Sequence, residues 1–183
     1  MKNTVNVIFY NARCGKPHSW LIALFTRSKK HKVQYSHVEI ELSDGSTIGS
    51  DEADGGVRWR GDIDTNNGCW AKIEIELPEY TLAKRFFYET EGAGYDWQRI
   101  GIIATRSFRQ LFNYGKSRLF KDDKAKWICN EWVLHFLMHG GVDIASKCTS
   151  LSRESTKTQL IETSDPNELY DILIAYKEEL SYL

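Results

Sequence analysis

The sequence predicts a single α+β domain, and three observations carry that reading. Apolar residues alternate at every second position in segments up to about residue 77. Beyond that point they recur at helical spacing. Strands first and helices afterwards indicate an α+β arrangement. The chain has 183 residues, 42% of them hydrophobic and 13% aromatic, which suits one sizeable core.

Val5, Val7 and Phe9 alternate within residues 3–10 and predict the first strand. A turn follows near Gly15, and Pro17 predicts a short helix through about Thr26. The basic stretch from Arg27 to Lys32 reads as a solvated loop. Residues 33–42 form the clearest strand. Val38, Ile40 and Leu42 fall on one face, with Tyr35, His37, Glu39 and Glu41 on the other. Asp44-Gly45 is a hairpin signal before a return strand at Thr47-Ile48. Asp54-Gly55-Gly56 turns the chain again ahead of Val57-Arg58-Trp59. Ile73, Ile75 and Leu77 share a face in residues 69–77, where the sheet pattern stops.

Helices are predicted over 79–91, from Trp97 to about Ala104 behind an Asp96 cap, and over 106–113. A stronger helix runs from Trp127 to His139. Trp132, Val133, Phe136 and Leu137 form its apolar face, and Gly140-Gly141 ends it. Asp165-Pro166 starts a last helix over 166–180.

Lysine plus arginine number 24 against 25 acidic residues, a net charge of −1 that argues against general nucleic-acid binding. The apolar stretch at the N-terminus is short and interrupted by Asn6, unlike a secretory segment. No run approaches the roughly 18 apolar residues of a membrane span. The expected location is the cytoplasm. Cys14, Cys69, Cys129 and Cys148 are widely spaced, and in a reducing compartment they are expected mostly as free thiols, with nothing in the spacing that requires a disulfide.

Cys129 falls in the first turn of the 127–139 helix. Unpaired N–H groups at a helix start stabilise a thiolate and can hold an oxyanion formed beside it. His37 is, among five histidines, the one inside a well-patterned strand, which gives a general base precise aim. Glu39 shares that face and can orient the ring.

Ser36-His37-Val38-Glu39-Ile40, Asp54-Gly55-Gly56-Val57-Arg58, Tyr95-Asp96-Trp97 and Trp127-Ile128-Cys129-Asn130-Glu131-Trp132 follow one another in the sequence. Together they resemble the circularly permuted NlpC-type hydrolases, the YiiX-like relatives of papain with many phage-encoded members. In that family the histidine strand precedes the cysteine helix, as it does here. The resemblance spans roughly residues 5–140. It implies a permuted papain-like fold, with an antiparallel sheet packed against helices that include the cysteine helix.

The resemblance also implies roles. Cys129 matches the nucleophile, His37 the base, and Tyr95 a tyrosine on the oxyanion side. Relatives often place a polar residue about twelve positions after the histidine, where this chain has Gly49. Ser50, Asp51 and Glu39 compete for that third place, and a dyad without it stays open. Arg58 and Trp127 are substrate-binding candidates. The expected activity is amide cleavage by a thiol peptidase or amidase on a peptide-like substrate, without metal or organic cofactor. A lipid or thioester acyl hydrolase or acyltransferase, and a non-catalytic binding module of the same fold, are the alternatives.

Other constellations rank lower. Cys14 and His18 have the spacing of a metal half-site without a second half. His135 and His139 stand four apart on one helix face, with a structural reading preferred. Residues 99–126 are rich in arginine, lysine and interleaved aromatics. They read as a solvated face or a substrate-gating loop.

Overall fold

A computed structural model of the chain describes residues 3–15, 32–96, 126–144 and 165–180. The helices expected near residues 17–26, 97–104 and 106–113 lie outside these residues. So do His18, His31, Cys148 and most of the basic segment 99–126.

The described strands are β1 (Thr4–Asn11), β2 (Tyr35–Glu41), β3 (Thr47–Asp51), β4 (Gly56–Arg60), β5 (Trp70–Glu76), β6 (Gly94–Tyr95) and β7 (Lys126–Trp127). The helices are α1 (Tyr80–Thr90), α2 (Cys129–His139) and α3 (Pro166–Leu180). The strands form one sheet in the order β5-β1-β2-β3-β4-β6-β7. This is an α+β architecture. The sheet is mixed rather than antiparallel throughout, because β6 and β7 run parallel. Each of these two strands has only two residues, too few to carry an alternating pattern, so the sheet continues past the point where the sequence pattern stops.

The alternation in β1, β2 and β5 does set the core face. Val5, Val7, Phe9, Val38, Ile40, Ile73 and Ile75 are all buried there. Helix α2 adds Trp132, Val133, Phe136 and Leu137, each with no exposed surface. Burying a side chain of this size contributes about 1.5–3 kcal/mol. Trp132 also donates its indole N–H to the Thr90 hydroxyl at 2.9 Å, joining α2 to α1. Helix α3 starts where Asp165 accepts hydrogen bonds from the Asn167 and Glu168 amides. Its Tyr170 ring meets Phe9 and Tyr35 at 5.2 and 4.8 Å.

Tyr35 departs from the expected face. In the β1–β2 ladder Tyr10 pairs with His37, but Asn11 pairs with Tyr35, so Ser36 is an extra residue on β2. This bulge reverses the alternation. Tyr35 turns into the core, while His37 and Glu39 keep the opposite face. Asn167 of α3 braces the bulge: its side chain accepts from the Tyr35 amide at 2.8 Å and donates to the Tyr35 carbonyl at 3.3 Å.

Two further corrections follow. Trp127 belongs to β7, and α2 begins at Cys129 behind an Ile128 N-cap. Cys14 and Cys69 are joined in a disulfide, not free; the turn after β1 and the entry to β5 bring them together, where the Asn11 amide donates to the Cys69 carbonyl at 2.8 Å. Cys129 is the free cysteine among the described residues. No helix among them is long and apolar enough to cross a membrane.

Candidate active site

His37, Glu39, Asp51 and Arg58 meet on the sheet face opposite the core. The Glu39 Oε1 atom lies 2.7 Å from His37 Nε2. An ionised carboxylate can only accept, so Nε2 donates and Nδ1 is left to exchange a proton elsewhere. The same Glu39 oxygen accepts from Arg58 Nη2 at 2.7 Å. Arg58 Nη2 also reaches Asp51 at 3.1 Å, and Arg58 Nε reaches Asp54 at 2.5 Å.

Gly49 makes this arrangement possible. It sits opposite Arg58 in the β3–β4 ladder. A Cβ there would stand 3.1 Å from Glu39 Cγ, tighter than ordinary packing. The Glu39 side chain therefore occupies the room above Gly49, and Arg58 reaches over the glycine to meet it.

Of the three competitors for the third place, Glu39 alone is in hydrogen-bond contact with His37. Asp51 stands off at 3.8 Å from the ring and is held by Arg58. Ser50 points away and donates to the Trp127 carbonyl at 2.9 Å. The Asp96 amide donates to the same carbonyl at 3.1 Å. These two bonds tie β7 to the sheet and thereby fix where α2 begins.

Electrostatics follow from this packing. Burial pushes the Glu39 carboxyl up, but hydrogen bonds and charge from His37 and Arg58 outweigh it and hold the group at about 2. Burial pulls His37 down. The charge of Cys129 and a hydrogen bond to it, followed by Glu39, outweigh burial and leave the ring well above its ordinary value. Cys129 is therefore near enough to bear on the ring electrostatically, and its sulfur has Asn130 Oδ1 as a hydrogen-bond partner at 3.9 Å. It bears likewise on Tyr95, whose phenol is raised by burial and then by the charge of Cys129, Glu52 and Asp51 and a hydrogen bond to Cys129. The structure thus brings Cys129, His37, Glu39 and Tyr95 together.

The start of α2 has no side-chain cap. The positive end of a helix suits an anionic oxygen beside Cys129.

Arg58 has a different place from the one expected. Its side chain is only 13% exposed and is engaged by three carboxylates, which makes it part of the support rather than a free substrate contact. Trp127 packs against Phe86 at 5.6 Å and His135 at 5.1 Å. Phe86 in turn stacks on His139 at 4.6 Å. The two histidines of α2 therefore belong to an aromatic cluster.

His37, Glu39 and Asp51 also offer ligand atoms within 4.8 Å of one another, as a metal site would. Arg58 already sits against both carboxylates and supplies the positive charge that a cation would bring. Sequence reasoning missed this salt-bridge network, and also Tyr10 and Trp70, which flank His37. Tyr10 was legible as the outward residue following Phe9 in the first alternation.

No model of a known protein family matches this chain, and no curated protein matches it.

Proposed function

We propose that the chain is a thiol hydrolase of permuted papain-like fold that cleaves amide bonds through an acyl-enzyme. One observation carries this reading: Glu39 holds the Nε2 side of the His37 ring at 2.7 Å, while Cys129, at the start of α2, bears electrostatically on both His37 and Tyr95.

In this reading Cys129 Sγ gives its proton to His37 and attacks the substrate carbonyl. The first-turn amides of α2 and the Tyr95 hydroxyl stabilise the oxyanion. The raised pKa of Tyr95 keeps it a proton donor, as this role requires. His37 then protonates the departing amine, and its raised pKa favours the proton that it must deliver. Water releases the acyl group from sulfur. Glu39 fixes the ring and balances the imidazolium charge.

Glu39 gives His37 a carboxylate partner although Gly49 has no side chain, which favours an enzyme over a non-catalytic module. The expected cytoplasmic setting fits less well with the Cys14–Cys69 disulfide, which a reducing compartment opens.

The test is turnover of p-nitrophenyl acetate and a panel of peptide amides by wild type and Cys129→Ala. Cys129→Ala is expected to fall to the uncatalysed background while keeping the wild-type melting curve. Turnover retained in that variant would sink the proposal.

A further inference from the structure

His37 has aromatic neighbours on the side away from Asp51. Tyr10 pairs directly with His37 across the β1–β2 ladder, and with Trp70 across the β1–β5 ladder. Side chains paired in this way stand side by side on one face. The Tyr10 and Trp70 rings are 4.8 Å apart, and the Trp70 ring is 6.5 Å from the His37 ring. The three rings therefore form a continuous row that ends at the candidate base.

This row is not core. Tyr10 and Trp70 are each partly exposed, whereas Val5, Val7, Phe9, Val38, Ile40, Ile73 and Ile75 on the opposite face are buried. The indole N–H of Trp132 is spent on Thr90. No hydrogen bond of the Trp70 indole occurs among the described residues. The row is also held in place at its end. Cys69 precedes Trp70 and is bonded to Cys14, and the Tyr10 hydroxyl donates to the Cys14 carbonyl at 2.9 Å.

We propose that Tyr10 and Trp70 form a subsite for the leaving-group side of the substrate, taking an aromatic or large aliphatic side chain next to the departing amine. The inference rests on the thiol-hydrolase reading. His37 delivers its proton to the leaving nitrogen, so surface continuous with His37 and away from the α2 oxyanion amides faces the leaving group. Flat aromatic surface with an indole donor suits an apolar side chain flanked by a peptide carbonyl.

The experiment uses the full chain and reads the acyl-enzyme directly. p-Nitrophenyl acetate acetylates Cys129: the sulfur–carbon bond forms and p-nitrophenolate leaves. An added amine then attacks the thioester carbonyl. The nitrogen–carbon bond forms, the carbon–sulfur bond breaks, and the amine proton passes through His37 to sulfur. Phenylalaninamide and glycinamide are supplied together, and the two N-acetyl products are measured by mass spectrometry. Their ratio is set after the acyl-enzyme forms, so it does not depend on the rate of acylation.

Wild type is expected to favour phenylalaninamide over the uncatalysed ratio by roughly two- to tenfold. Trp70→Ala should bring the ratio back to the uncatalysed value, and Trp70→Phe should keep part of the preference. Circular dichroism and a melting curve establish that each variant is folded. A wild-type ratio equal to the uncatalysed one overturns the subsite, as does a preference unchanged in folded Trp70→Ala. If Trp70→Ala does not fold, Trp70→Phe and Tyr10→Leu decide: a preference unaltered in both overturns it. Absence of any p-nitrophenolate release dependent on Cys129 overturns the thiol-hydrolase reading itself, and the subsite falls with it.

Discussion

Glu39 and Gly49 face one another on neighbouring strands, and the side chain of one fills the space that the other leaves empty. The carboxylate lies two residues from His37 on the same strand and takes its ring N–H at 2.7 Å. A partner on the same strand shares the backbone of the residue it orients, so small shifts of β2 against β3 do not separate the pair.

Glu39→Gln keeps this shape and removes the charge. A charge-assisted hydrogen bond contributes about 1.5–3 kcal/mol, so kcat/KM is expected to fall about 10- to 100-fold. The His37 pKa loses a raising contribution, and the alkaline limb of activity moves to lower pH. Stability responds as well. The folded pKa of Glu39 is about 2, below its ordinary 4.5, so its contribution is complete above 4.5 and is lost as pH falls toward 2. Melting temperatures measured across that window should fall more steeply for wild type than for Glu39→Gln. His37 has the opposite sign: its raised pKa gives stability that is full below its ordinary value and lost as pH rises through the folded one.

Gly49→Ala tests the shared space. The new methyl would lie 3.1 Å from Glu39 Cγ, so the carboxylate must yield by a few tenths of an ångström. Lower unfolded-state entropy offsets part of the crowding, by about 0.4–1 kcal/mol. The melting temperature should therefore change little while kcat falls. A kcat equal to wild type would show that the position of Glu39 is not critical.

Arg58→Ala leaves Glu39 and Asp51 without their common cation. Breaking a buried pair by removing one partner costs about 3–5 kcal/mol, and the partial exposure of Asp51 places the expectation at the lower end. Arg58→Lys should recover little, because one ammonium cannot reproduce the fork that reaches Glu39, Asp51 and Asp54. Urea unfolding midpoints for the two variants check this.

The strands and helices with several turns of pattern were legible in the sequence. Val5, Val7 and Phe9, or Trp132, Val133, Phe136 and Leu137, declare a face because many residues agree. Strands β6 and β7 were not legible, since two residues have no period. Tyr35 was misplaced because a single bulged residue, Ser36, inverts the alternation without changing the composition. At the site, Cys129 and His37 could be picked out by helix start and strand face. Glu39 could not be ranked above Ser50 or Asp51, because the choice depends on which side chain occupies the room over Gly49. The role of Arg58 depended on three carboxylates converging from β2, β3 and the following turn. The disulfide depended on β1 and β5 being neighbours, an order that skips three strands.

That disulfide also divides the molecule topologically. Cys14 and Cys69 are 55 residues apart, and the closed ring of chain between them contains His37, Glu39, Asp51, Asp54 and Arg58. Cys129 and Tyr95 lie outside it. In the proposed mechanism the groups that handle the proton thus belong to one covalent loop, and the sulfur comes from chain beyond it. Neither part can make a competent site alone. The site exists only once the first turn of α2 has docked onto the loop, so thiol reactivity at Cys129 is a readout of completed tertiary structure.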